Sequence, residues 1–81
     1  MQSSKLFNIL EEAQAMHERA MKCFDYHVNE ADDEMKQIYW TRSEEYSGKC
    51  EGLLTAYEII TGRCIMDHRI LEEIEYQTSK F

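Results

Sequence analysis

The sequence predicts an all-α fold, a long antiparallel helical hairpin plus a short third helix, forming a small three-helix bundle in one domain over residues 1–81. Three observations carry this expectation. The chain has no proline and only three glycines, so little interrupts a helix. Apolar residues recur at steps of three and four over long stretches. No stretch alternates with period two for long enough to make a strand, and no repeat or linker divides the chain.

The first helix is expected from about residue 4 to about residue 29. Either Ser3 or Ser4 could cap its N-terminus by accepting from a free backbone N–H. Leu6, Leu10, Ala13, His17, Ala20, Phe24, Val28 and Ala31 then fall in one stripe, flanked by Ile9, Met16, Met21 and His27. Residues 29–34 read Asn-Glu-Ala-Asp-Asp-Glu, which supplies N-cap side chains and acids suited to the positive end of a helix dipole. A tight reversal here is the preferred reading. The rival is one unbroken helix from 4 to 61, whose apolar stripe would stay unburied without partners.

The second helix carries Met35, Tyr39, Tyr46, Cys50, Leu53, Tyr57 and Ile60 on its apolar side, with Arg42 in the stripe and its stem expected across the core. Thr61 and Gly62 end it, Gly62 being suited to the left-handed position that closes helices. Asp67 is expected to cap the third helix, with Met66 and Leu71 as a hydrophobic staple. Ile70, Leu71, Ile74, Thr78 and Phe81 give that helix an apolar face.

Charge and cysteine content limit the function classes. Sixteen Asp plus Glu face nine Lys plus Arg, a formal net charge of -7. That sign argues against direct nucleic-acid binding and against an anionic membrane surface. No apolar run is longer than the three residues of Cys64, Ile65 and Met66, far too short to span a bilayer, and the N-terminal residues lead into no signal-peptide core. Cys23, Cys50 and Cys64 are odd in number and form no C-x-x-C pair, which fits three free thiols in a reducing, cytoplasmic setting, each expected as a small buried hydrophobe.

Motifs for chemistry are sparse. Cys23 and His27 are four apart and could share an ion from one helix face, but no second pair completes a tetrahedral site, so no metal or other cofactor is expected. The three histidines lack the E-x-x-H element of di-iron bundles. Acid pairs occur at Glu11 and Glu12, Glu44 and Glu45, and Glu72 and Glu73, without the full E-E-x-x-E and E-x-x-D patterns of helical nucleotide pyrophosphatases. Arg19, Arg42, Arg63 and Arg69 are too scattered for the dianion site of a small chorismate mutase. No phosphate loop, zincin or nucleophile-elbow motif is present, so the chain reads as non-enzymatic.

One feature of the second helix is lopsided. At 100° per residue, Glu30, Asp33, Glu34, Glu44, Glu51 and Glu58 fall in a sector about 120° wide that holds no Lys or Arg. Solvent-facing helices usually mix signs, because Glu–Lys pairs stabilise and Glu–Glu pairs do not. Trp40 lies at the edge of this ridge, an aromatic anchor beside aligned charge. The bland alternative is a solvated face, with Trp40 and Ile59 packed under the third helix or a symmetry mate. The sharper expectation is a face for a protein partner with a basic surface, such as a nucleic-acid-binding protein. A self-associating helical scaffold, for example a homo-dimer, is the alternative function.

Residues 52–62, Gly-Leu-Leu-Thr-Ala-Tyr-Glu-Ile-Ile-Thr-Gly, with Trp40 upstream, resemble segments of short helical proteins from bacterial phages and mobile elements. Size, acidity and helical content are also similar to those of phage-encoded anti-CRISPR proteins, which block effector nucleases at their nucleic-acid surfaces. The resemblance implies an inhibitor, and the row of carboxylates on the second helix could stand in for the overall field of DNA. It transfers no residue-level site.

Overall fold

The computed structural model describes the backbone of residues 2–80 and the side chains of residues 5–80. Phe81, assigned to the third helix's apolar face, lies outside the described residues. The architecture is all-α: α1 (Gln2–Asn29), α2 (Asp33–Thr61), a 3₁₀ turn (Asp67–Arg69) and α3 (Ile70–Thr78). α1 and α2 pack as a long hairpin, and α3 closes one end, its backbone lying nearest α1. α1 already includes Ser3 and Ser4, so neither takes the capping position expected of it.

The reversal is real and short. Asn29 donates from Nδ2 to the Asp25 carbonyl at 2.8 Å, ending α1. Glu30 Oε1 accepts from the backbone N–H groups of Ala31 and Asp32 at 3.0 and 3.1 Å. Asp32 then caps α2 in an extended conformation, its Oδ1 accepting from the N–H of Glu34 at 2.9 Å and Met35 at 3.3 Å. Asp33 and Glu34 occupy the first turn, where the dipole favours negative charge. His27 Nδ1 donates to the Lys36 carbonyl at 2.9 Å and pins the two helices together just beyond the bend. These local bonds favour the turn over a continuous helix.

At the other end, Gly62 has φ 75° and donates its N–H to the Glu58 carbonyl at 2.6 Å, closing α2 in the left-handed conformation that only glycine enters freely. The third helix departs from expectation. Asp67 opens the 3₁₀ turn, and Arg69 occupies the cap of α3 with no side-chain capping bond. The extra turn moves the start of α3 to Ile70, which destroys the spacing a staple needs. Met66 and Leu71 are accordingly both exposed.

The core is one seam. Leu10, Ala13 and Met16 of α1 meet Cys50, Leu54 and Tyr57 of α2, with Ile70 of α3 closing the end. The α2 seam is rotated from the expected stripe. Ser43 and Leu54 are buried, whereas Ile60 and Arg42 are exposed, so Arg42 lays no stem across the core. Ser43 can sit there because its hydroxyl donates to the Trp40 carbonyl at 2.8 Å. Cys50 is buried, Cys23 half-buried and Cys64 exposed, so the thiols are not uniformly interior.

The outcome is a rod of 48 × 20 × 18 Å with a Cα radius of gyration of 14.7 Å. A globular chain of this length would have about 12 Å. The accessible surface, 5890 Å², likewise exceeds the roughly 5100 Å² expected for a compact monomer of this mass. Two helices and a cap bury little, and much apolar surface remains outside.

Candidate protein-binding face

Each acid of the ridge is positioned by the single straight run of α2 or by the turn that starts it. Asp33, Glu34, Glu44, Glu51 and Glu58 are exposed, and Glu30 is half-buried because its carboxylate is folded back onto the turn. None of the six belongs to an ion pair among the described residues. The ion pairs lie elsewhere: Arg63 with Glu73, Arg69 with Glu72, and Asp67 with His17 at 3.9 Å and His68 at 3.4 Å.

The hairpin brings only part of the ridge together with apolar surface. Trp40, Glu44 and Glu51 line one side of an open groove of about 540 Å³ between the long helices, and Met21, Phe24 and His17 of α1 line the other. Ala20 and Ser43, both buried, and Gly48 leave the space between these walls open. A second hollow of about 300 Å³ adjoins it, lined by Glu58, Leu54 and Met66 among others, and the two share Glu51 and Asp67. Neither lining includes a Lys or Arg. Glu30, Asp33 and Glu34 stay at the bend and enter neither hollow.

Trp40 is 38% exposed. Its ring lies 5.3 Å from that of His27 and 6.4 Å from that of Phe24, centroid to centroid and tilted to both, so it packs against α1 while remaining partly accessible. Ile59 is 79% exposed and is not packed under α3. Phe24, expected in the apolar stripe of the first helix, and Met21, expected to flank it, are instead exposed.

The strongest polar constellation lies at the α3 end. Glu73, 4% exposed, accepts from Arg63 Nε at 2.7 Å and Nη2 at 2.8 Å, from the Tyr57 hydroxyl at 2.5 Å, and from Gln77 Nε2 at 3.2 Å. Burial alone would raise the Glu73 pKa, but these donors and the Arg63 charge outweigh it and hold the carboxyl at about 2. Burial, then the bond to Glu73, pushes the Tyr57 phenol up to about 12. The bond to Glu73 raises the Arg63 pKa, so the guanidinium stays charged. Every member is satisfied, no buried side-chain polar atom among the described residues lacks a partner, and the cluster offers no free base or nucleophile. It is structural.

Among the described residues no group of three or more His, Cys, Asp or Glu side chains could hold a metal ion. No described helix is long and apolar enough to cross a membrane. The chain matches no protein-family profile, and no curated protein or solved structure is significantly similar to it.

Proposed function

We propose that this chain is a non-enzymatic, cytoplasmic interaction protein. It presents the acidic side of α2 to a basic surface of a nucleic-acid-binding protein and competes there with nucleic acid, as a phage-type inhibitor of the anti-CRISPR kind would. The observation that carries the reading is the run of exposed acids without an ion-pair partner among the described residues, continuous with a groove whose lining includes no Lys or Arg. Like charges held in a row on a rigid helix repel one another. A basic partner relieves that repulsion, and the field speeds association in a salt-sensitive way. Trp40, partly exposed at the groove, supplies the apolar anchor.

The test is a comparison of charge reversals in affinity capture at low and high salt. Glu44→Lys with Glu51→Lys should lose the captured nucleic-acid-binding protein, while Glu11→Lys with Glu12→Lys should retain it. Equal losses from both pairs would mean that overall charge, not this face, is responsible.

Self-association is the second reading, favoured by the exposure of Ile59, Ile60, Met66 and Leu71 on a molecule with more surface than a compact monomer. Sedimentation decides between them. A stable oligomer in which Trp40 resists aqueous quenchers supports the scaffold, and a monomer with quenchable Trp40 supports the binding face.

A further inference from the structure

We infer that the groove beside the ridge seats an amphipathic helix whose apolar stripe is flanked by Lys and Arg. This rests on the reading of the ridge as a binding face and names the element it would recognise. The first argument is space. Gly48 lies in the middle of α2, where glycine destabilises a helix relative to alanine. Nothing lies within 4 Å of the position its Cβ would take, so packing inside this molecule does not require glycine there. Gly48 also lines the groove, where a missing side chain lets an incoming helix approach the backbone of α2 closely.

The second argument is chemistry. Met21, Phe24 and Trp40 are exposed apolar walls on two different helices, converging on one depression. Methionine and aromatic side chains adapt to varied apolar partners. Glu44 and Glu51 stand along the same groove with no ion-pair partner, and Asp67 faces only His17 and His68, so cationic flanks on the occupant complement a lining that holds no Lys or Arg. A second copy of this chain, at net charge -7, fits that requirement poorly.

The third argument is length. From Trp40 to Glu58 is about 27 Å along α2, the span of about 18 helical residues. The two hollows joined at Glu51 and Asp67 therefore offer a track as long as a typical docking helix.

The experiment uses the full chain and a synthetic 18-residue helical peptide with leucines on one face, lysines beside them and no tryptophan. The protein has a single tryptophan, so Trp40 emission reports the groove directly. The expected result is a blue shift of Trp40 on binding. Gly48→Leu should weaken the peptide at least tenfold, and Gly52→Leu, which is equally unobstructed but lines neither hollow, should change it less than twofold. Circular dichroism of both variants confirms helix content. A peptide of identical charge with glutamines for leucines should bind at least tenfold more weakly.

Equal affinity for the two peptides, or an unshifted Trp40, would overturn the groove while leaving the acidic face able to bind a basic surface. Loss of binding in Glu44→Lys with Glu51→Lys but not in Gly48→Leu would have the same meaning. No binding of either peptide, together with capture that survives the Glu44 and Glu51 reversals, would remove both. A concentration-dependent dimer broken by Gly48→Leu would assign the groove to a second copy and overturn the basic helix.

Discussion

Arg63 grips Glu73 with two hydrogen bonds, 2.7 Å from Nε and 2.8 Å from Nη2, across an asymmetric boundary: the Glu73 side chain is 4% exposed and the Arg63 side chain 41%. Arg63 follows directly on the Gly62 cap of α2, and Glu73 lies in α3. The pair therefore fixes where the chain goes after α2 ends. Tyr57 and Gln77 complete the clasp, tying α2 to α3 through side chains. The outer pairs, Arg69 with Glu72 and Asp67 with His68, are exposed and add little.

Glu73→Ala should cost on the order of 2–3 kcal/mol, because it leaves Tyr57 without its acceptor and Arg63 without its partner beside a buried seam. Urea denaturation followed by circular dichroism measures it. Glu72→Ala, one residue away and exposed, should fall within about 0.5 kcal/mol of the parent. Similar losses in both variants would show that the clasp is not what holds α3.

The same carboxylate makes stability acid-sensitive. Its folded pKa, about 2, lies below the ordinary value of 4.5. The folded state therefore binds fewer protons than the unfolded state between those values. The contribution is fully present above about pH 4.5 and is lost as the pH falls toward 2. Its size should be on the order of 2 kcal/mol once screening at the half-exposed Arg63 is counted. Urea midpoints measured from pH 6 down to pH 2 should fall more steeply for the parent than for Glu73→Gln, and parallel curves would refute the assignment.

Tyr57 has the opposite sign at high pH. Its phenol titrates at about 12 when folded, against 10.0 for a free tyrosine, so the fold favours the protonated form. That contribution is complete below pH 10 and disappears as the pH rises through 12. Absorbance of tyrosinate should show one of the five tyrosines ionising last, in step with unfolding. Tyr57→Phe should delete that late phase and no other.

What was legible in the sequence was local. Asp32 and Gly62 mark the ends of α2 because caps depend on a few neighbouring residues. As far as Ala20, α1 follows the expected stripe, with Leu10, Ala13 and Ala20 all buried. The phase of α2 was less legible, because Ser43, Gly48 and Gly52 interrupt its apolar pattern and let Ile60 and Arg42 pass for core. The groove was invisible from one helix at a time: Phe24 and Trp40 converge only once the relative rotation of α1 and α2 is set. The Glu73 clasp was hidden for the same reason. Glu73 read as half of an acid pair, and nothing in the spacing of Arg63 ten residues earlier says that an irregular segment and a 3₁₀ turn will bring the two together.

The glycines yield a prediction in which sign separates three positions. Gly48 and Gly52 sit inside α2 with open space where a Cβ would be, so alanine at either should fit without displacing a neighbour. Alanine also reduces the entropy of the unfolded chain, and each change should stabilise by about 0.5–1 kcal/mol. For a domain this small that is a rise in melting temperature of about 2–8 °C. Gly62, at φ 75°, equally has open space around it, yet alanine there must adopt the left-handed conformation. Gly62→Ala should therefore destabilise by about 1 kcal/mol, for backbone reasons alone. Thermal melts of the three single variants test the argument together. If Gly48→Ala also lowered the melting temperature, some packing against residue 48 would have to exist in solution, and the open groove between α1 and α2 would have to be narrower than its geometry indicates.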